Sequence, residues 1–311
     1  MRNAKVRYQN LVADSARFDG FEFREGDIII STPPKCGTTW TQTICALLIF
    51  GSPDFPQAVD LISPWLEQSL RPIADVVADL GAQKHRRFIK SHTPLDGLPF
   101  DERVTYLCVG RDPRDVALSW DNHMDNMDIQ ALLALRDKAV GSEDLPQLLQ
   151  RQMAGMQMPE TESERFWHWV ENDLAVTDSV GGLAFTLHHL GSFYAQRDRP
   201  NVVMLHYGDL KADLGGQMRN LAGKLGIGVE EELWPTLVPA ATFESMKARA
   251  AQVAPNATES IWQDQDRFFH RGSSGQWHHV ITDDADARRY RERVERLADD
   301  DLSKWVHQGA I

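Results

Sequence analysis

Apolar and polar positions along this chain fall into short blocks. Ile28-Ile29-Ile30 follows a polar turn at Glu25-Gly26-Asp27, the pattern of a buried strand. Segment 86–92, Arg-Arg-Phe-Ile-Lys-Ser-His, reads as a second short strand that stops on His92 before Pro94. Val104–Val109 is the clearest strand, and 201–210, rich in β-branched residues, is a fourth. Thr41–Phe50 is apolar and helix-length, ended by Gly51 and Pro53. Residues 53–64 are turn-rich, whereas 66–81 carry apolar residues at helical spacing. A helix starts at Val116–Trp120, and 166–170, 183–196 and 216–225 are helical. Beyond Phe243 the pattern predicts a helix, a loop over about 254–277 and a charged terminal helix from Asp284 to Trp305. Residues 121–165 are polar with interspersed Met124, Met127, Met153, Met156 and Met158, and are expected to be a helical insertion. Strands alternating with helices predict an α/β fold, with a central parallel sheet flanked by helices on both faces. With no repeat, low-complexity tract or linker, residues 1–311 are expected to form a single domain.

Composition narrows the partners. At 42% hydrophobic and 25% charged, the chain has the make-up of a globular protein. Its formal net charge of −12 makes it a poor non-specific binder of nucleic acid or anionic membrane, so any anion site must be a local focus of positive charge. Cys36, Cys45 and Cys108 suggest neither a disulfide framework nor a zinc site. The N-terminal MRNAKVRYQN has no apolar core, and the longest apolar run, Ile44–Phe50, is far short of the roughly 20 residues of a membrane span. A cytoplasmic protein without an integral membrane segment is expected.

The loop after the first strand, Thr-Pro-Pro-Lys-Cys-Gly-Thr-Thr-Trp at 32–40, adds chemistry. A strand feeding a glycine loop and then a helix leaves backbone N–H groups free to face an anion, aided by the helix dipole. Gly37 permits close approach, Thr38 and Thr39 offer hydroxyls, Lys35 a charge, and Trp40 a face for a nucleobase. The pattern is P-loop-like, but Lys35 precedes the glycine and the GxxxxGK[ST] order is absent. No acidic residue closes a strand where a magnesium partner belongs, which favours a metal-free site built from cations. A plain strand-to-helix turn is the alternative. At 90–92, Lys90 and His92 face the same way in an extended segment, where a neutral histidine takes a proton from a hydroxyl; a surface histidine at a strand end fits as well. Arg111 ends the third strand and Ser119 follows eight residues on, a guanidinium and a hydroxyl suited to a second phosphate. A salt-bridged loop with Arg114 is the competing reading.

In these motifs the chain resembles the soluble, cytosolic-type sulfotransferases that use 3′-phosphoadenosine 5′-phosphosulfate. The segments 32–40, Lys90-Ser91-His92, Arg111 to Ser119, and His-Arg-Gly-Ser-Ser-Gly-Gln-Trp at 270–277 occur in the family's order. The resemblance implies that amides of Gly37, Thr38 and Thr39 hold the 5′-phosphosulfate and that Lys35 stabilises the leaving oxygen. It implies that Trp40, Tyr207 and Phe243 pack about the adenine, and that Arg111, Ser119, Arg271 and Gly272 grip the 3′-phosphate. His92 is the implied general base, with Lys90 and Ser119 assisting Lys35. The donor would leave as 3′-phosphoadenosine 5′-phosphate, no metal would be needed, and the acceptor would be a small-molecule or lipid-linked hydroxyl: a phenol, an alcohol or a glycolipid.

Three positions depart from the family pattern. Cys36 replaces a serine and brings a thiol beside Lys35, a candidate reactive group; His270 replaces a basic residue; Ala241 replaces a threonine. The segment after Trp277, His-His-Val-Ile-Thr-Asp-Asp, lacks the family's dimer signature, which leaves the oligomeric state open. A P-loop kinase and a non-catalytic nucleotide-binding module remain as alternatives. The kinase predicts magnesium dependence, and the module predicts no group transfer.

Overall fold

The computed structural model describes residues 2–153, 159–179, 181–255, 261–264, 266–269 and 272–309. Its centre is a sheet of four parallel strands: β1 (Ile28–Ser31), β2 (Phe88–Ser91), β3 (Thr105–Gly110) and β4 (Val202–His206), in the order β2-β1-β3-β4. Strands covered on both faces need apolar residues at every position, which explains their near-continuous hydrophobic runs. Alternate residues feed two cores. Ile29, Ile89, Tyr106, Cys108, Val202 and Met204 enter one face. Ile28, Ile30, Phe88, Leu107, Val109, Val203 and Leu205 enter the other. The first core is completed by helices Pro113–Asp125, Glu162–Glu171, Leu183–Tyr194, Asp284–Glu295 and Asp300–Gln308, the second by Thr38–Phe50, Leu214–Leu225 and Trp234–Ala240. The sheet is thus flanked by helices on both faces.

Several elements differ from the sequence pattern for local reasons. The first helix begins at Thr38, ahead of Thr41, directly on Gly37. Of the helical spacing over 66–81, only Ile73–Ala82 is α-helix, with Pro72 as its N-cap. The apolar residues before Pro72 are buried against the N-terminal segment, where the Ser69 N–H donates to the Val12 carbonyl at 2.8 Å. The strand expected over 201–210 stops at His206, because the His206 ring accepts from the Gly208 N–H at 3.2 Å and starts a helix, Tyr207–Ala212. The single terminal helix is two, since Asp299 caps the second by accepting from the Leu302 N–H at 2.8 Å. Residues 121–165 contribute the end of the Pro113–Asp125 helix, helices Ile129–Val140 and Leu145–Met153, and the start of Glu162–Glu171. Met127 packs with Leu70, Leu132 and Ile261; Met156 and Met158 lie outside the described residues.

Candidate active site

The four strands end together. Ser31 lies opposite Ser91, and Gly110 opposite His206, so the segments that follow them emerge at one edge of the sheet. Ligands of open α/β sheets bind at such a carboxyl edge.

After β1 the chain turns through Lys35 at φ 69° and Gly37 at φ 105°. A lysine in the left-handed region costs about 1 kcal/mol and must be held there by its surroundings. A Cβ on Gly37 would lie 3.2 Å from the Tyr207 ring, so glycine suits both the angle and the space. Among the described residues the N–H groups of Gly37, Thr38 and Thr39 donate to no protein acceptor. These are the orphan donors of a helix start. The Thr38 hydroxyl is 2.5 Å from the Thr32 hydroxyl. Trp40 donates from Nε1 to the Ala241 carbonyl at 2.7 Å and meets Tyr207 edge-on with ring centres 5.1 Å apart.

After β2, the ring N–H of His92 at Nδ1 faces the Thr32 carbonyl at 2.7 Å. That bond fixes the tautomer and leaves Nε2 with its lone pair. Burial first, then Lys90, holds the imidazole well below the usual histidine range. The Lys90 ammonium stands over the Trp65 ring at 4.4 Å, and the same ring meets His92 edge-on at 4.8 Å. Beneath them, Oε1 of the buried Glu67 accepts from the Ser91 hydroxyl at 2.7 Å, the His92 N–H at 2.7 Å and the Thr93 hydroxyl at 3.3 Å.

After β3, the Arg111 guanidinium donates to the Lys35 carbonyl at 2.9 Å and to the Ser273 carbonyl at 3.3 Å, and lies over the Tyr207 ring at 4.4 Å. Its Nε is buried without a hydrogen-bond partner among the described residues. On the helix that follows, the Asp115 carboxylate accepts from the Gly275 and Gln276 N–H groups at 2.9 and 3.1 Å, tying the late loop to the site. Gly272, at φ 60°, packs on Phe243 so closely that a Cβ would fall 2.6 Å from the ring. Phe243 in turn packs on Phe269, ring centres 6.0 Å apart. The Lys35 ammonium rests 5.1 Å from the centre of the Phe268 ring and 3.4 Å from His123 Nδ1. Burial, followed by repulsion from Arg111 and Lys90, lowers it to about 7.

The structure therefore brings Lys35, Gly37, Thr38, Thr39, Trp40, Lys90, His92, Arg111 and Tyr207 to one edge. Phe243 and Gly272 adjoin it through the late loop. Ser119 sits on the Pro113–Asp125 helix, partly exposed and with no side-chain hydrogen bond among the described residues. Arg271 and His270 lie outside the described residues. The Cys36 thiol does not have the setting of a reactive group: it is fully buried, and burial pushes it up to about 12. Four contributors escaped the sequence reading: Trp65, Glu67, Asp115 and His123. His123 alone had a usable signal, since it lies four residues after Ser119 and so shares its helix face.

The model for the sulfotransferase domain matches residues 25–302 of this chain. The chain belongs to the sulfotransferase family. It is 42% identical over 313 aligned positions to a glycolipid sulfotransferase of Mycobacterium bovis (strain BCG / Pasteur 1173P2), covering 98% of this chain and 95% of the relative. An amine sulfotransferase of Oryctolagus cuniculus is 25% identical, over 91% of this chain and 84% of its own. Among solved structures, retinol dehydratase in complex with androsterone and the inactive cofactor PAP aligns at TM-score 0.68 and 21% identity, over 92% of this chain and 84% of that one. A mouse sulfotransferase complexed with PAP aligns at 0.65 and 20%, over 94% and 90%. At these identities the structures establish the fold, a P-loop-like sulfotransferase architecture. No described helix of this sulfotransferase is long and apolar enough to cross a membrane. Among its described residues, no group of three or more His, Cys, Asp or Glu side chains is arranged to hold a metal ion.

Proposed function

We propose that this chain transfers a sulfuryl group from 3′-phosphoadenosine 5′-phosphosulfate to an acceptor hydroxyl, that the acceptor is a glycolipid, and that His92 is the general base. One observation carries the reading: a histidine with an open Nε2 shares a sheet edge with three cationic side chains and three unpartnered amides. The donor fits the residues present. The amides of Gly37, Thr38 and Thr39 suit its 5′ end, and the orphaned Nε of Arg111 suits a second phosphate. Trp40, Tyr207 and Phe243 supply aromatic surface for a base. When bound, the donor supplies the sulfuryl group and a phosphate leaving group. The acceptor assignment is supported by the name of the mycobacterial relative, which spans nearly the whole chain.

His92 takes the hydroxyl proton on Nε2 while Nδ1–H stays on the Thr32 carbonyl, so the imidazolium that forms keeps a partner. Lys35, with Lys90 beside it, places positive charge where the leaving oxygen develops negative charge. Burial of Lys90 and His92 keeps water from competing for the transferred group.

Donor labelled in its sulfur, incubated with a panel of glycolipids, phenols and alcohols, tests this reading. Label should enter a glycolipid, and His92→Ala should slow the transfer by roughly 10²–10⁴. Label confined to phenols would overturn the acceptor assignment. Tight binding of the bis-phosphorylated adenosine with no transfer to any hydroxyl would favour the non-catalytic module, and phosphate transfer from ATP would favour the kinase.

A further inference from the structure

The contact between Lys35 and His123 has no counterpart in the motifs. We propose that His123 is a positioning residue for Lys35: its neutral Nδ1 accepts a hydrogen bond from the Lys35 ammonium and holds that charge at the transfer centre before the donor arrives. The assignment rests on the reading of Lys35 as the group that stabilises the leaving oxygen.

The geometry limits what else the lysine can use. Its ammonium is 3.4 Å from His123 Nδ1 and 5.1 Å from the centre of the Phe268 ring, and among the described residues it forms no salt bridge. The titratable groups facing it are repulsive: Arg111 after β3 and Lys90 on β2. Those facing His123 are Lys35, Lys90 and His92. The other walls of His123 are aromatic, with Trp262, Trp120 and Phe268 ring centres at 5.0, 5.8 and 6.5 Å. Burial and three basic neighbours keep this imidazole unprotonated, so Nδ1 can accept. A hydrogen bond to the charged form of a group favours that form. His123 therefore opposes the burial and repulsion that would strip the Lys35 proton. Its helix, Pro113–Asp125, is fixed to the sheet by Val116, Ala117 and Leu118 in the core, which gives the acceptor a rigid mount.

The test compares His123→Phe, which keeps a ring and loses the acceptor, with His123→Asn, whose Oδ1 can stand where Nδ1 stood. The first readout needs no donor and no turnover: labelling of the Lys35 amine against pH, followed on its peptide by mass spectrometry. The phenylalanine variant should titrate about half a unit to one unit lower than the unsubstituted protein, and the asparagine variant close to it. The second readout is the alkaline limb of kcat/KM, which should move down by the same amount in His123→Phe. Activity would then fall by less than about twofold at pH 6 and by about three- to tenfold at pH 8. A labelling midpoint unmoved in His123→Phe would overturn the proposal. So would His123→Asn displaced as far as His123→Phe, because the ring would then matter only as packing. If the transfer reading itself were wrong, the labelling shift would remain while the kcat/KM arm showed no activity to follow.

Discussion

Burial, with Arg111 and Lys90 nearby, lowers Lys35 to about 7, in the pocket proposed to receive the donor's phosphates. A phosphate within reach favours the ammonium, so the donor should raise the lysine above neutrality. At pH 8 the free protein has mostly lost this proton, and binding should take one back. Calorimetry in buffers of different ionisation enthalpy should show uptake approaching one proton at pH 8 and much less at pH 6. Binding at pH 8 without uptake would contradict the placement of Lys35 against the donor's charge. His92 is held unprotonated through the neutral range, so activity should show no acid limb between pH 6 and 7 from this group. His92→Ala should lose roughly 10²–10⁴ in turnover with donor affinity retained, the range for a positioned base. Lys35→Ala should lose on the order of 10²–10³, as for one preorganised charge-stabilising group. Arg111→Ala should weaken 3′-phosphorylated adenosine nucleotides far more than their 3′-hydroxyl counterparts, and equal weakening of the two would count against the second-phosphate assignment.

The elements explain which parts of the site could be read from the sequence. β1 and β3 are visible because a buried parallel strand is a short apolar run, and the residues just after them are in chemical register with their motifs. The end of β4 is obscured because Tyr207 is as apolar and strand-prone as its neighbours; the turn into helix depends on the His206 ring accepting from Gly208. Glu67 was invisible for another reason. It lies in a non-helical segment whose place beside β2 is set by a backbone bond from the Lys90 N–H to the Pro64 carbonyl at 3.0 Å. Nothing local marks that segment as the support of His92. Glu67→Ala would leave the Ser91 hydroxyl and His92 N–H buried without their partner, at a cost of about 1–3 kcal/mol for each such group. A chemical melt should register that loss, and turnover should fall with it. Asp115→Ala acts on the other wall, freeing two loop amides; KM for the donor should rise while kcat changes little.

At the scale of the whole molecule, one sheet serves two cores, and both are needed to bury it. We expect residues 1–311 to unfold as one unit, with a single calorimetric transition raised by the bis-phosphorylated product. Saturation at a hundredfold excess over Kd would add about 2.7 kcal/mol. Two separated transitions would divide the chain. The overall charge of −12 is compatible with an anionic donor because Lys35, Lys90 and Arg111 come together at one edge of the sheet, an arrangement that composition alone does not disclose.

Arg111 joins the backbone of the first loop, at Lys35, to that of the late loop, at Ser273. On the proposed donor assignment, recognition of the nucleotide and the tie between its two flanking loops share one guanidinium, and a double-mutant cycle between Arg111 and Asp115 should be strongly non-additive. On that assignment, the same clasp should give departure of the spent nucleotide a barrier separate from sulfuryl transfer. Rapid-mixing experiments should then show a first turnover faster than the steady state.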